Sequence, residues 1–361
     1  GGTDVPHHIV RSAIEYARVH NLSIFVLFLD LTQAFDKIIR ELVFGLPHHI
    51  PNDHSSRHQY LISIGISHES SNFVLDFLAQ HGSIFQQWGI DPKIERVVNS
   101  VHSNSWFRYG DLKSCVVGRT GGRQGCKLGS IIFNAVYDIA LKMVVKRLKD
   151  AGVLTAFASS EASPWWAQCE ADAKVSHELA DVTFVDDEAL IIFAKSPAVL
   201  DKHVDIVLAI YVEVFAKFML NINWLPGKSE AMLKYRGHGT RAAHLARIVE
   251  GALCIKLPTS ATAAFLHVVT RYKHLGSVVS MDGNDCHDAK LRASSAMSAY
   301  CPLASKIFGS PKVGLWLKLL FMHALVLSRL LYQVYLWGDK PKPFRILNNV
   351  YMRVLRRIAN M

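Results

Sequence analysis

Residues 183–193 read Thr-Phe-Val-Asp-Asp-Glu-Ala-Leu-Ile-Ile-Phe, and no other stretch limits the possible folds as tightly. Aromatic and β-branched residues lead into the adjacent aspartates Asp186 and Asp187, and a second β-rich run leads away. This pattern predicts strand, tight turn, strand, with both carboxylates at the tip of a hairpin. Asp is also an ordinary turn residue, because its side chain bonds to nearby backbone. The pair gains meaning from a second acidic strand end upstream. Residues 24–29 (Ile-Phe-Val-Leu-Phe-Leu) form an apolar run of buried-strand length that ends at Asp30. Two strands presenting carboxylates can hold two Mg²⁺ ions about 4 Å apart, an arrangement suited to in-line displacement at phosphorus.

The order of the remaining elements follows from periodicity. Apolar residues at helical spacing (Ile9, Val10, Ala13, Ile14, Ala17) predict a helix before the first strand. After Asp30 the chain is expected to turn into a helix through Leu31-Thr32-Gln33-Ala34-Phe35-Asp36. Residues 47–71, rich in Pro, His, Ser and Asn, read as a loop or insertion. Helices are expected near 73–85 and 92–101, and a hairpin over 105–117. A glycine-rich turn, residues 118–126, opens onto a helix over 130–148. Residues 151–178 read as a second, irregular insertion. A helix over 196–218, a strand over 231–235, a β-rich region over 250–280 and helices from 285 onward complete the chain. This order predicts an α+β fold, a split βαβ (ferredoxin-like) unit in which the two acidic strand ends meet on one sheet.

Charge separates the chain into two parts. Residues 1–270 contain 26 Lys/Arg and 26 Asp/Glu, whereas residues 271–361 contain 14 and 4, so the entire net charge of +10 sits in the last quarter. A localised basic region points to a polyanion such as nucleic-acid phosphate, or to a surface tuned for solubility. The six cysteines are widely spaced with no CxxC, which suits reduced thiols in an intracellular protein. The histidines at 48, 49, 54 and 58 match no metal-ligand spacing. The apolar stretch 315–337 is interrupted by Lys318, His323 and Arg329, so no membrane partner is expected. No signal peptide is read, and the opening Gly-Gly-Thr-Asp without Met reads as a fragment or processed product.

Five ordered blocks make the chain resemble the reverse transcriptase domain of non-LTR (LINE-type) retrotransposons. They are Leu29-Asp30-Leu31-Thr32-Gln33-Ala34-Phe35-Asp36, Arg123-Gln124-Gly125-Cys126, Phe184-Val185-Asp186-Asp187, Lys228-Ser229-Glu230-Ala231-Met232 and Tyr272-Lys273-His274-Leu275-Gly276. The resemblance implies a polymerase right-hand palm with partial fingers over 1–280, with insertions at 47–71 and 151–178, and a basic helical thumb over 281–361. It implies RNA-directed DNA synthesis from dNTPs on an RNA template and DNA primer, with two Mg²⁺ (or Mn²⁺) ions. Asp30 and Asp186 would hold the metals, with Asp187 as the less direct third carboxylate. Leu31, Phe35, Gln124 and Gly125 would line the nucleotide site, with the Phe35 ring excluding a 2′-hydroxyl. Lys228 would neutralise or protonate the leaving pyrophosphate, a role suited to a mobile cation. Leu275 and Gly276 would form the turn that steadies the primer. Asp36 and Glu188 are expected to be structural, and a nuclear location is implied by the family alone.

The second block departs from the family pattern, with Lys127-Leu128-Gly129-Ser130 where Pro-Leu-Ser-Pro is usual. The basic fingers segments that would precede the first catalytic strand lie outside this sequence. Two other readings stay open on sequence alone. One is an inactive retroelement remnant that binds nucleic acid through residues 271–361. The other is an intron maturase or an RNA polymerase on the same palm, and Phe35 argues against the RNA polymerase.

Overall fold

A seven-stranded mixed sheet forms the centre of the computed structural model, which describes residues 2–103, 105–108, 110, 115–122, 126–159, 175–179, 181–185, 187–258, 265–338 and 340–359. In chain order, its flanking and constituent elements are α1 (Asp4–Val19), β1 (Ser23–Leu29), α2 (Lys127–Asp150), β2 (Asp181–Phe184), β3 (Asp187–Ala194), α3 (Pro197–Lys217), β4 (Glu230–Lys234), β5 (Ile248–Val249), β6 (Ala252–Lys256) and β7 (Phe265–Val268). The strand order is β5-β6-β7-β4-β1-β3-β2. Strand β1 is antiparallel to both β3 and β4, while β4 and β7 are parallel, so the protein is a mixed α+β fold.

Strand β1 is buried along its whole length because both faces of the sheet are covered. Phe25, Leu27 and Leu29 point, with Leu190 and Ile192, into a core shared with Phe133 and Tyr137 of α2 and Leu200 and Tyr211 of α3. Ile24, Val26 and Phe28 point the other way, with Ala189 and Ile191, against Val10, Ala13 and Ile14 of α1. A hairpin of β8 (Arg271–His274) and β9 (Ser277–Ser280) joins α1 on that face through Val279 and Tyr272. A third core, drawn from residues 289–358, holds the C-terminal helices α4 (Cys286–Tyr300) and α5 (Pro341–Ile358) together.

Three expectations need correction. The stretch 47–71 is not a loop: it contains the helix His54–Ser63 and the start of another, His68–His81. Asp53 and Ser67 cap these helices by accepting the amides of Ser56 and Ser70, and Leu61 and Ile66 are buried in the main core. The polar, weakly amphipathic composition hid both starts. Of the stretch read as an irregular insertion, 151–178, residues 160–174 lie outside the described residues, and its described ends are not irregular: Thr155–Ser159 pairs antiparallel with Val175–Leu179. After Asp30 the chain does not enter a helix directly, because Leu31–Thr32 first pairs with Asn221–Ile222 and the next helix begins at Arg40. Two helical stretches, Lys127–Asp150 and Leu315–Leu336, are long and apolar enough to cross a membrane; the first packs its apolar face against the sheet.

Candidate active site

Antiparallel register brings the two acidic strand ends together. In β1 and β3, Phe28 pairs with Ala189 and Leu29 with Glu188. Continuing one residue sets Asp30 opposite Asp187, and side-chain alternation puts both on the face that carries Phe28 and Ala189. Tyr272 reports the same convergence. Its ring stacks on Phe28 with centroids 4.1 Å apart, and its hydroxyl donates to the Lys228 carbonyl at 3.0 Å. Burial, followed by the negative charge of Asp187, Asp30 and Glu230, holds its phenol well above the usual tyrosine range.

Phe184 pairs with Asp187 at the end of the β2–β3 ladder. Val185 takes φ = 61°, a left-handed conformation that costs a β-branched residue about 1–3 kcal/mol. Asp186 itself lies outside the described residues. Among the described residues, no three His, Cys, Asp or Glu side chains cluster as a metal shell.

Asp30 is held on several sides by the turn before β4. Its amide donates to Ser229 Oγ at 3.0 Å, and the Asn223 amide donates to its carbonyl at 2.8 Å. Asn223 Nδ2 donates to Asp30 Oδ2 at 3.1 Å, and Lys228 Nζ stands 3.7 Å from the same oxygen. Lys228 is half-exposed, so its ammonium sits at the mouth of the site. Sequence reading singled out Lys228 but gave no role to Asn223, Ser229 or Tyr272. The only sequence signal for them was membership of the fourth and fifth blocks and the adjoining turn.

The loops of the first two blocks are stitched to each other. Gly122 donates to the Phe35 carbonyl at 2.6 Å, Gly121 to that of Ile38 at 2.8 Å, and Thr120 Oγ1 to that of Asp36 at 3.2 Å. The Phe35 ring is half-buried and stacks on Phe133 of α2, centroids 4.9 Å apart. Gly121 takes φ = 83°, and a Cβ there would collide with the Asp36 backbone carbonyl. Gly121→Ala is therefore expected to destabilise the chain by about 3 kcal/mol, read as a lower denaturant midpoint. Gln124 and Gly125 lie outside the described residues. Leu31 is buried in the main core.

Leu275 and Gly276 form the two-residue turn between β8 and β9, with φ of 49° and 84°, as a type I′ hairpin requires. The C-terminal part grips this turn. Tyr332 donates to the Leu275 carbonyl at 3.3 Å and Arg292 to the Gly276 carbonyl at 2.8 Å. The Arg292 guanidinium also lies 4.6 Å above the Tyr332 ring, a cation–π contact.

Behind the hairpin, on the helix side of the sheet, Glu188 is buried and accepts hydroxyl bonds from Tyr137 at 2.5 Å and from Tyr211. Burial, then the negative charge of Asp181, raises its carboxyl to about 8. In comparisons with known proteins, no family model and no curated protein matches the chain.

Proposed function

We propose that the chain is a polymerase palm with a helical thumb that carries out RNA-directed DNA synthesis, as in LINE-type reverse transcriptases. The single observation that carries this reading is the antiparallel register that ends at Leu29 and Glu188, the residues next to Asp30 and Asp187. The donor chemistry fits divalent cations, because hard carboxylate oxygens from separate strands are the ligands Mg²⁺ and Mn²⁺ prefer. Asp30, Asp187 and Asp186 would hold the ions, which when bound activate a primer 3′-hydroxyl and neutralise charge on a triphosphate.

The chain's own residues divide the remaining tasks. Asn223 and Ser229 fix the Asp30 carboxylate and backbone. Lys228 reaches the same mouth with a mobile ammonium that can meet the leaving phosphate. The half-buried Phe35 ring, which stacks on Phe133, would exclude a 2′-hydroxyl. Phe35→Ala is expected to raise the use of rNTP relative to dNTP by about tenfold or more, measured as the ratio of kcat/KM values. The Leu275–Gly276 turn, clamped by Tyr332 and Arg292, steadies the primer.

A second reading, nucleic-acid binding without catalysis, is favoured by α5. Its Lys342, Arg345, Arg353, Arg356 and Arg357 are exposed while Leu347, Val350, Val354 and Ile358 are buried, so one face is a basic stripe. Extension of an oligo(dT) primer on an RNA template with Mg²⁺ or Mn²⁺ separates the readings. Synthesis by the parent and none by Asp186→Asn supports the polymerase. No synthesis by either chain, with salt-sensitive binding retained, supports the binding protein.

A further inference from the structure

A groove of about 970 Å³ lies among the helices Arg40–Phe44, His54–Ser63, Ile84–Gln87 and Pro92–Ser103. Four guanidinium groups line it, from Arg40, Arg57, Arg96 and Arg119, against two carboxyl groups, Glu41 and Glu95. Among the described residues none of the four makes an ion pair with a carboxylate. Arg40 donates to the backbone carbonyls of His102 and Gly118, Arg96 to that of Pro92 and Arg119 to that of Ser63. The Nε of Arg57 is buried with no acceptor. Arg40 is buried with both acceptors supplied, Arg57 is half-buried, and Arg96 and Arg119 are exposed, so the Nε of Arg57 is the buried donor for which an anion would supply the missing acceptor.

The floor carries a second unmet group. Glu41 is 7% exposed; its Oε1 accepts the Tyr60 hydroxyl at 3.2 Å, and its Oε2 has no partner. Burial raises this carboxyl above the usual range. A carboxyl beside an aromatic wall (Tyr60, Phe44) suits the polar N–H edge and flat face of a base, while the arginines suit phosphate. A sulfate-like anion would satisfy the arginines and leave Glu41 unmet.

We propose that this groove is a second binding site for a nucleoside phosphate, with the phosphate on Arg57 and Arg96 and the base over Tyr60 and Glu41. The chemistry is shared by a free nucleotide and by one unit of a single strand. An occupant would touch Arg119, in the same turn that fastens Gly121 and Gly122 to the loop of Phe35 and Asp36.

The test is photocrosslinking of the full chain to 4-thiouridine triphosphate in one arm and to a short 4-thiouridine oligonucleotide in the other, with adducts mapped by peptide mass. The expected result is adducts within residues 40–60 and 83–99 in at least one arm, with yield at least about fivefold lower in Arg57→Gln/Arg96→Gln. The labelling arm identifies the source as free nucleotide or strand. Adducts confined to other segments, no adducts, or equal yield from the double variant would overturn the site. Arg96 is exposed, so Arg96→Gln alone replaces the double variant if the latter melts below the parent. No nucleotide incorporation is read, so the outcome does not depend on polymerase activity.

Discussion

Asp30→Asn is expected to lower primer extension at least about a thousandfold, or about 4 kcal/mol of barrier, while changing the melting temperature by only a degree or two. The substitution keeps the shape of the side chain and an oxygen for Asn223 Nδ2 to donate to. The amide of residue 30 still meets Ser229, and the carbonyl still accepts from Asn223. What disappears is the negative charge that a divalent cation requires. The lost pairing with Lys228 is a half-exposed contact at 3.7 Å, worth less than about 1 kcal/mol to the fold. Activity and stability therefore separate at this position, and steady-state extension beside a thermal melt reads both. Asp187→Asn should cost less, because the family resemblance makes Asp187 the less direct ligand.

The strands that position this site were legible because each is a short apolar run ending in a charge. Both faces of β1 and β3 are covered, so their residues read as continuous hydrophobic segments. That the ends of β1 and β3 lie side by side on one sheet followed from two such runs in one chain. The bracing of Asp30 was not legible, because Asn223 and Asp30 are 193 residues apart and their contact is set by the sheet register. The helix His54–Ser63 was missed because its buried anchor, Leu61, sits among polar residues and its start depends on an Asp53 cap. Leu31 was assigned to the nucleotide site from its block, and the burial of its side chain in the main core was not read from that block. Gln124, Gly125 and Asp186 lie where the structure gives no placement to compare.

The second large effect concerns stability. Glu188→Gln is expected to raise the melting temperature at pH 8 by several degrees and to leave it nearly unchanged at pH 5. In the folded chain the Glu188 carboxyl is raised to about 8, whereas an unfolded Glu titrates near 4.5. Between these values the native state keeps a proton that the unfolded state has released. Stability from this group is thus full below pH 4.5 and is lost as pH rises through 8, by about 3 kcal/mol between pH 5 and pH 8. Gln keeps the shape without a charge, its Oε1 accepting one tyrosine hydroxyl and its Nε2–H donating to the other once that hydroxyl turns, so it removes that slope.

The acid side is governed by a different pair. His7 and His274 are buried and stack with centroids 5.8 Å apart, and Arg11 and Arg292 add positive charge near His7. Burial lowers them to about 3 and about 4. The unfolded state binds these protons first, so stability falls as pH drops below about 6.5. The parent should therefore be most stable between pH 6 and pH 7, with Glu188 limiting the alkaline flank and the histidines the acid flank.

The convergence of the two strand ends on one cation site is the central claim, and iron-directed backbone cleavage tests it most directly. Fe²⁺ substitutes for Mg²⁺ at carboxylate oxygens, and with ascorbate and peroxide it cuts peptide bonds close to where it binds. The expected cuts fall at three separate places in the sequence, around residue 30, around 185–188 and around 223–229, and all three fade together in Asp30→Asn. Cuts at only one of these places, or a pattern unchanged by Asp30→Asn, would contradict the account.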